Sequence, residues 1–300
     1  MAGYIFRSVL ALMLLCISTG CFTGVESTPK ITDKDVSRTI GELERRQPTM
    51  TLQPYCDSLQ AWKPGKRFFV SDSQVKLIFE SRNRNDLDSV KFEGSFLDYL
   101  GYELATGVDN REVVTLLFKH SGDTLMYHTG RTLAEFPSSY SIPLLVDMDL
   151  VASVSSQLKG MSVYIKTPIW YDPESEAMIH GRQFIKVNID DILPGNKVLP
   201  VKVCFTAGDN GQKAFVWMST GQNAINNRDY DTMFSAKDMH ENYPEITAAH
   251  WNLIIHGEVT LHLTKEECRL AKGAPKSISR LPNQSDVREI WYYDGGSYLQ

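Results

Sequence analysis

One block of this chain occurs twice, and that repetition limits the architecture more than any other feature. Trp62-Lys63-Pro64-Gly65 opens a segment that returns at Leu158-Lys159-Gly160, with the two glycines 95 positions apart. Each copy continues into a run of alternating aromatic and β-branched residues, Phe68/Phe69/Val70 and Val163/Tyr164/Ile165, a period-2 pattern that predicts a strand. A polar segment follows in both, then a second strand after a glycine ("FEGSFLDYL", "HGRQFIKVNI"). Next comes strand, tight turn, strand. Ser121-Gly122-Asp123 and Asp209-Asn210-Gly211 supply the turns, because glycine and asparagine tolerate positive φ. Both copies close on Thr-Gly, at Thr129-Gly130 and Thr220-Gly221, 91 positions apart.

Each unit therefore holds four or five short strands, and a sheet that small must close or pair its edges. The strand count and glycine placement resemble the Src-homology-3-like barrels of bacterial envelope proteins. That resemblance implies two tandem small barrel-like units, here residues 51–145 and 146–240. The competing arrangement is one continuous β-sandwich. Residues 146–158 are expected to form a helix leading into the second unit.

The chain begins "MAGYIFRSVLALMLLCISTG". Arg7 supplies a positive start, Val9 to Ile17 is apolar, and small residues follow. This pattern predicts an export signal over residues 1–20, too short to span a bilayer as a mature helix. Ser18-Thr19-Gly20-Cys21 resembles a bacterial lipobox, with Ser18 where leucine is usual. The relaxed form is similar to that of Bacteroidetes envelope lipoproteins. It implies cleavage before Cys21, acylation of Cys21 and membrane lipid as a partner, since two or three acyl chains anchor durably where one does not. The alternative is an ordinary signal with Cys21 as an incidental thiol. Net charge is −5 and becomes more negative when Arg7 leaves with the signal. That argues against nucleic acid as a partner and against electrostatic adhesion to anionic lipid. Residues 21–50 are expected to be a tether and a helix. Thr32 caps the helix, Asp33 and Asp35 suit its positive end, and Val36, Ile40 and Leu43 form an apolar stripe.

The last 60 residues change character. "EITAAHWNLIIHGEV" predicts a helix capped by Thr247. Thr264 and Glu267 predict a capping box on a second helix, with Gly273 in the left-handed position after its end and Pro275 preventing continuation. "REIWYYDGGSYLQ" reads as strand, Gly-Gly turn and the start of another strand. "LTKEECRLAKGAP" resembles a segment of the SmpA/BamE-like fold of small outer-membrane lipoproteins, itself similar to β-lactamase-inhibitor repeats. Thr264, Gly273 and Pro275 match, whereas His262, Leu263 and Cys268 depart from the pattern. The resemblance implies an α+β module over 241–300 and a binding or scaffolding role in the outer membrane; this sequence stops soon after the Gly-Gly turn, so the last strand is expected to be short or missing. The chain as a whole also resembles uncharacterised Bacteroidetes lipoproteins that end in this module.

Chemistry is sparse. Of five cysteines, Cys16 leaves with the signal and Cys21 is acylated. Cys56, Cys204 and Cys268 remain, an odd set that cannot all pair within one chain. The seven histidines show no ligand spacing, and His250 and His256 fall on different helix faces, so no metal site and no cofactor are expected. Carboxylates gather at Asp147/Asp149, Asp172/Glu174/Glu176 and Asp190/Asp191. The middle group lacks the rhythm of a calcium loop, and nothing selects a catalytic pair. No nucleophile elbow, phosphate loop or dinucleotide motif occurs. Among the aromatic residues Trp170 and Tyr171, bordering a polar loop, are the candidate binding groove. The expected protein is a mostly β, lipid-anchored, periplasm-facing outer-membrane lipoprotein. It would bind or scaffold another envelope protein or peptidoglycan without catalysis. The alternatives are an envelope glycan or peptide hydrolase with a carboxylate pair on barrel loops, and a protein inhibitor.

Overall fold

A computed structural model describes residues 52–83, 86–106, 110–137, 139–196, 198–220, 228–282 and 287–300. The expected export signal, Cys21, the expected tether, the helix expected after Thr32, and Gly221 lie outside the described residues. The fold is mostly β, with a sheet curled into a half-barrel and few helices.

In the first sheet, β1 (Arg67–Val70), β2 (Glu80–Ser81), β3 (Phe96–Thr106), β4 (Glu112–His120), β5 (Asp123–His128) and β6 (Leu145–Asp147) adopt the order β2-β5-β4-β3-β1-β6. Helix α1 (Met148–Leu158) follows. The second sheet contains β7 (Ser162–Ile165), β8 (Ile169–Tyr171), β9 (Met178–His180), β10 (Ile185–Pro194), β11 (Val201–Ala207), β12 (Lys213–Met218) and β13 (Phe234–Ser235). Its order is β13-β7-β10-β11-β12-β8-β9, with the one-turn helix α2 (Tyr230–Met233) preceding β13. Read from β6 or from β13, the two sheets follow one path, all neighbours antiparallel. The second adds only β9.

The correspondence extends to single hydrogen bonds. Gly65 N–H donates to Tyr99 O at 2.7 Å, and Gly160 N–H donates to Ile189 O at 2.8 Å. Ser71 N–H reaches Leu144 O (3.1 Å) as Lys166 N–H reaches Met233 O (2.8 Å). Each long strand bulges at the equivalent place, Leu100 being extra in β3 and Asp190 in β10. A bulge sharpens local bend and twist, so both sheets bend at the same point. β1 and β7 share one alternation, with Phe68 and Val70 buried in the first and Val163 and Ile165 in the second.

Turn chemistry explains the hairpins. Ser121 (φ 49°) and Gly122 (φ 85°) are both positive, as a type I′ turn joining two strands requires. In the second hairpin Gly211 is positive (φ 72°) and Asn210 is not.

Two apolar cores result. One gathers Phe68, Val70, Leu97, Tyr99, Leu116, Phe118 and Leu125; the other Val163, Ile165, Val187, Val203, Phe205 and Val216. Each fully buried Val, Leu or Phe contributes about 1.5–3 kcal/mol. Helix α1 packs Leu150, Val151, Val154 and Leu158 into the second core. It begins two residues later than expected, because Val146 and Asp147 still belong to β6 and pair with β1.

Helices α3 (Ala248–Ile255) and α4 (Lys265–Lys272) carry the expected caps. Thr247 accepts from His250 N–H, and Thr264 with Glu267 closes a capping box. Gly273 has the positive φ expected (79°), but its ψ of −170° is extended and not left-handed helical. These helices share a third core with Phe184, Met239 and Tyr243. Their C-terminal carbonyls converge on one buried side chain: Gln183 Nε2 lies 2.8–2.9 Å from Ile254 O, Leu270 O and Ala271 O.

Residues 274–300 group apart from the body ending at Gly273. They form a three-stranded antiparallel sheet of β14 (Ser277–Pro282), β15 (Val287–Tyr292) and β16 (Tyr298–Leu299). The last strand contributes two residues, paired with Trp291 and Tyr292. Gly295 and Gly296, at φ 81° and 78°, make the turn before it.

Candidate functional site

The densest polar arrangement among the described residues is built where β1, β6 and α1 meet. Lys66 stands one residue before β1 and points into the protein, its side chain 4% exposed. Its ammonium contacts Asp149 Oδ2 at 2.6 Å, Asp147 Oδ1 at 2.8 Å and Asp57 Oδ2 at 2.9 Å, and donates to the Tyr55 hydroxyl at 3.2 Å. Asp147 also caps α1, accepting from Asp149 N–H at 2.9 Å. The rings of Tyr55, Trp62 and Phe68 surround the ammonium at 5.5–5.7 Å.

The electrostatics follow from this geometry. Burial works against the Lys66 charge, but the hydrogen bonds it donates to Asp147, Asp149 and Asp57 outweigh it and hold the ammonium pKa above the ordinary lysine value. Burial raises the Asp147 pKa, with Lys66 opposing. Burial likewise raises the Tyr55 pKa. A lysine bound this way stays protonated and has no lone pair for attack or proton abstraction. In the second unit Met161 occupies the equivalent position, 95 residues on, so the ion cluster belongs to the first unit alone.

Beside the cluster lies a cavity of about 100 Å³, lined among others by Tyr55, Asp57, Tyr140, Asp147, Asn196 and Thr220. Sites for drug-sized ligands are about 300–1,000 Å³, so this one is too small for such a ligand. The other two carboxylate groups do not converge. Asp172 accepts from Ser175 N–H, Ser175 Oγ and Glu174 N–H, which draws its pKa down within an exposed turn. Glu176 pairs with Lys202 at 2.7 Å, Asp191 with Lys159 at 2.7 Å, and Asp190 accepts from Thr206 at 2.6 Å. Among the described residues no group of three histidine, cysteine or carboxylate side chains is placed to hold a metal ion.

The aromatic groove is corrected. Trp170 is fully buried, its ring edge-on to Phe205 at 5.1 Å and its indole N–H donating to Thr167 O at 2.8 Å. Tyr171 faces the opposite side of the sheet, stacked on Phe215 at 5.3 Å, with Trp217 at 6.1 Å. Successive strand residues point to opposite faces, so the two side chains cannot line one groove. Lys202 lies over this second cluster, its ammonium 3.9 Å from the Phe215 ring centre.

One serine–imidazole pair occurs where the sequence offered no motif: Ser95 Oγ and His120 Nε2 are 3.1 Å apart. The Ser95 hydroxyl donates to Phe92 O at 2.5 Å, which turns its proton away from the imidazole. The neighbouring amides of Gly94 and Ser95 donate to Val70 O and Phe92 O, leaving neither to bind an oxyanion. Cys56 is exposed, Cys204 and Cys268 are half-buried, and all three are free. Burial raises the pKa of both half-buried thiols. Neither Lys66 with its carboxylates nor the Ser95–His120 pair has a sequence signature, because their members come from segments far apart in the chain.

No protein-family model, curated protein or solved structure matches this chain.

Proposed function

We propose that this chain is a lipid-anchored, non-catalytic protein of the bacterial cell envelope, whose β units bind or scaffold another envelope protein or peptidoglycan. The anchor rests on the export-type segment ending Ser18-Thr19-Gly20-Cys21, with acylation at Cys21. No described helix is long and apolar enough to cross a membrane, which is compatible with an acyl anchor. The finer assignments belong to the same reading: Src-homology-3-like character for the two β units, and SmpA/BamE-like character for the helices and strands after residue 241.

Binding is favoured over hydrolysis by one observation. Asp57, Asp147 and Asp149 are gathered on Lys66 and accept from its ammonium, beside a cavity of about 100 Å³. A glycosidase keeps its two carboxyl groups facing an open cleft. The experiment is palmitate labelling of the full chain and of Cys21→Ala in a lipoprotein-processing bacterium. In parallel, envelopes are cross-linked and the pelleted peptidoglycan is probed for the chain. Labelling of the parent only, with recovery on peptidoglycan or on a discrete protein, supports the proposal. Equal labelling of both forms refutes the anchor, and glycan or peptide turnover by the purified chain refutes the non-catalytic role.

A further inference from the structure

The β11–β12 turn carries Asn210 followed by Gly211, the pair of residues most open to loss of side-chain ammonia, because glycine leaves the following amide nitrogen unshielded. In the folded turn the reacting groups are engaged elsewhere. Gly211 N–H donates to Ala207 O at 2.9 Å. Asn210 Oδ1 accepts from Gln212 N–H at 3.0 Å and from Arg182 Nη2 at 2.9 Å. Arg182 is itself held by Asp209 at 2.5 Å and by Gln212 Oε1 at 3.1 Å, and its side chain is 17% exposed.

We infer that Asn210–Gly211 is a latent deamidation site, held closed by Arg182 and released when the turn opens. In the reaction the Gly211 nitrogen gives its proton to water and attacks Asn210 Cγ. The new C–N bond forms as the Cγ–Nδ2 bond breaks, and ammonia departs with the proton. Water then opens the cyclic imide at either carbonyl, leaving aspartate or β-linked isoaspartate at position 210.

Two effects of Arg182 oppose each other. Its guanidinium polarises the amide it touches, which favours attack. It also pins the side chain, and Gly211 N–H is bound to Ala207. These two bonds, and the one from Gln212 N–H to Asn210 Oδ1, must break before Cγ can meet the nitrogen, so pinning governs the rate. Either product places a new negative charge beside Arg182 and Asp209. Isoaspartate also lengthens the backbone inside the turn and strains the Ala207–Gln212 hydrogen bond that closes it (2.8 Å).

The test is peptide mapping by mass spectrometry of the full chain held in mildly alkaline buffer, native or unfolded in guanidinium chloride. Arg182→Ala is followed under native conditions. Wild type should deamidate at position 210 about tenfold or more faster when unfolded, and native Arg182→Ala should fall between, since a charged hydrogen bond is worth roughly an order of magnitude. Equal native and unfolded rates for wild type overturn the inference, as does a folded Arg182→Ala no faster than wild type. Should Arg182→Ala fail to fold, Arg182→Lys replaces it. This variant keeps the charge but loses the forked donor, and an unchanged rate in it overturns the inference equally.

Discussion

Lys66 Nζ lies 2.8 Å from Asp147 Oδ1, joining the residue before the first strand of the first sheet to the cap of the helix that enters the second. With Asp57 and Asp149 on the same ammonium, this contact ties three segments of the chain together inside a poorly solvated space.

Removing the ammonium should be costly. Lys66→Ala leaves Asp57 and Asp147 half-buried without their counter-charge, and breaking a buried pair from one side costs about 3–5 kcal/mol. Urea unfolding followed by circular dichroism measures this. A loss under about 1 kcal/mol would mean the cluster is solvated like a surface pair. Lys66→Met, the residue type at the equivalent position 161, should lose nearly as much, because the carboxylates stay unpaired.

The pH response of the joint follows from the direction of two shifts. The folded pKa of Asp147 is raised by burial, so the folded state favours its protonated form, and its contribution to stability grows as pH falls from neutrality towards the ordinary carboxylate range. Asn at 147 keeps the helix cap and stays neutral. The unfolding free energy of wild type minus that of Asp147→Asn should therefore rise as pH drops from about 7 to about 4. A difference that falls over that window contradicts the burial argument. Lys66 has a raised folded pKa, so its stabilisation is present below the ordinary lysine pKa and is lost only at higher, strongly alkaline pH.

His120 shows the opposite sign. Burial lowers its pKa, Asp123 opposing, so acid favours the unfolded state as pH falls through the ordinary imidazole value of about 6.5. An NMR titration should show the His120 ring neutral at a pH where an exposed histidine is already half charged.

Gly181 has no room for a side chain. A Cβ there would stand 2.1 Å from Trp170 Cδ2, and displacing a fully buried indole is an overpacking defect costing about 1–3 kcal/mol or more. Gly181→Ala should lower the melting temperature and shift tryptophan emission to the red as Trp170 meets water.

Gln183→Ala removes the donor shared by three helix-end carbonyls. Ile254 O keeps the Gly257 N–H at 2.9 Å, whereas Leu270 O and Ala271 O lose the Gln183 donor, and a buried acceptor left unsatisfied costs about 1–3 kcal/mol. Amide exchange should quicken in α3 and α4 before it does in β10 and β11; uniform quickening would show that the helices and the second sheet unfold as one unit.

Much of the β architecture could be read beforehand. The alternation at Phe68–Val70 and Val163–Ile165, the turn residues Ser121-Gly122 and Asn210-Gly211, and the caps at Thr247 and Thr264 are local signals, and each acts within a few residues of itself. The groove at Trp170 and Tyr171 failed because adjacency in a strand means opposite faces, and only the position of the core decides which face is wet. The Lys66 cluster was out of reach for a different reason: Asp57, Lys66 and Asp147 span 91 residues of chain.

By itself the amino-acid order determined the doubled strand pattern, the turn positions and the helix caps, because these depend on backbone sterics and on hydrogen bonds over short spans. Tertiary structure decided which charges met. The joint at Lys66, the carbonyls gathered by Gln183 and the burial of Trp170 arise from distant segments packed together, where loss of water sets both the partners and the strength of each contact.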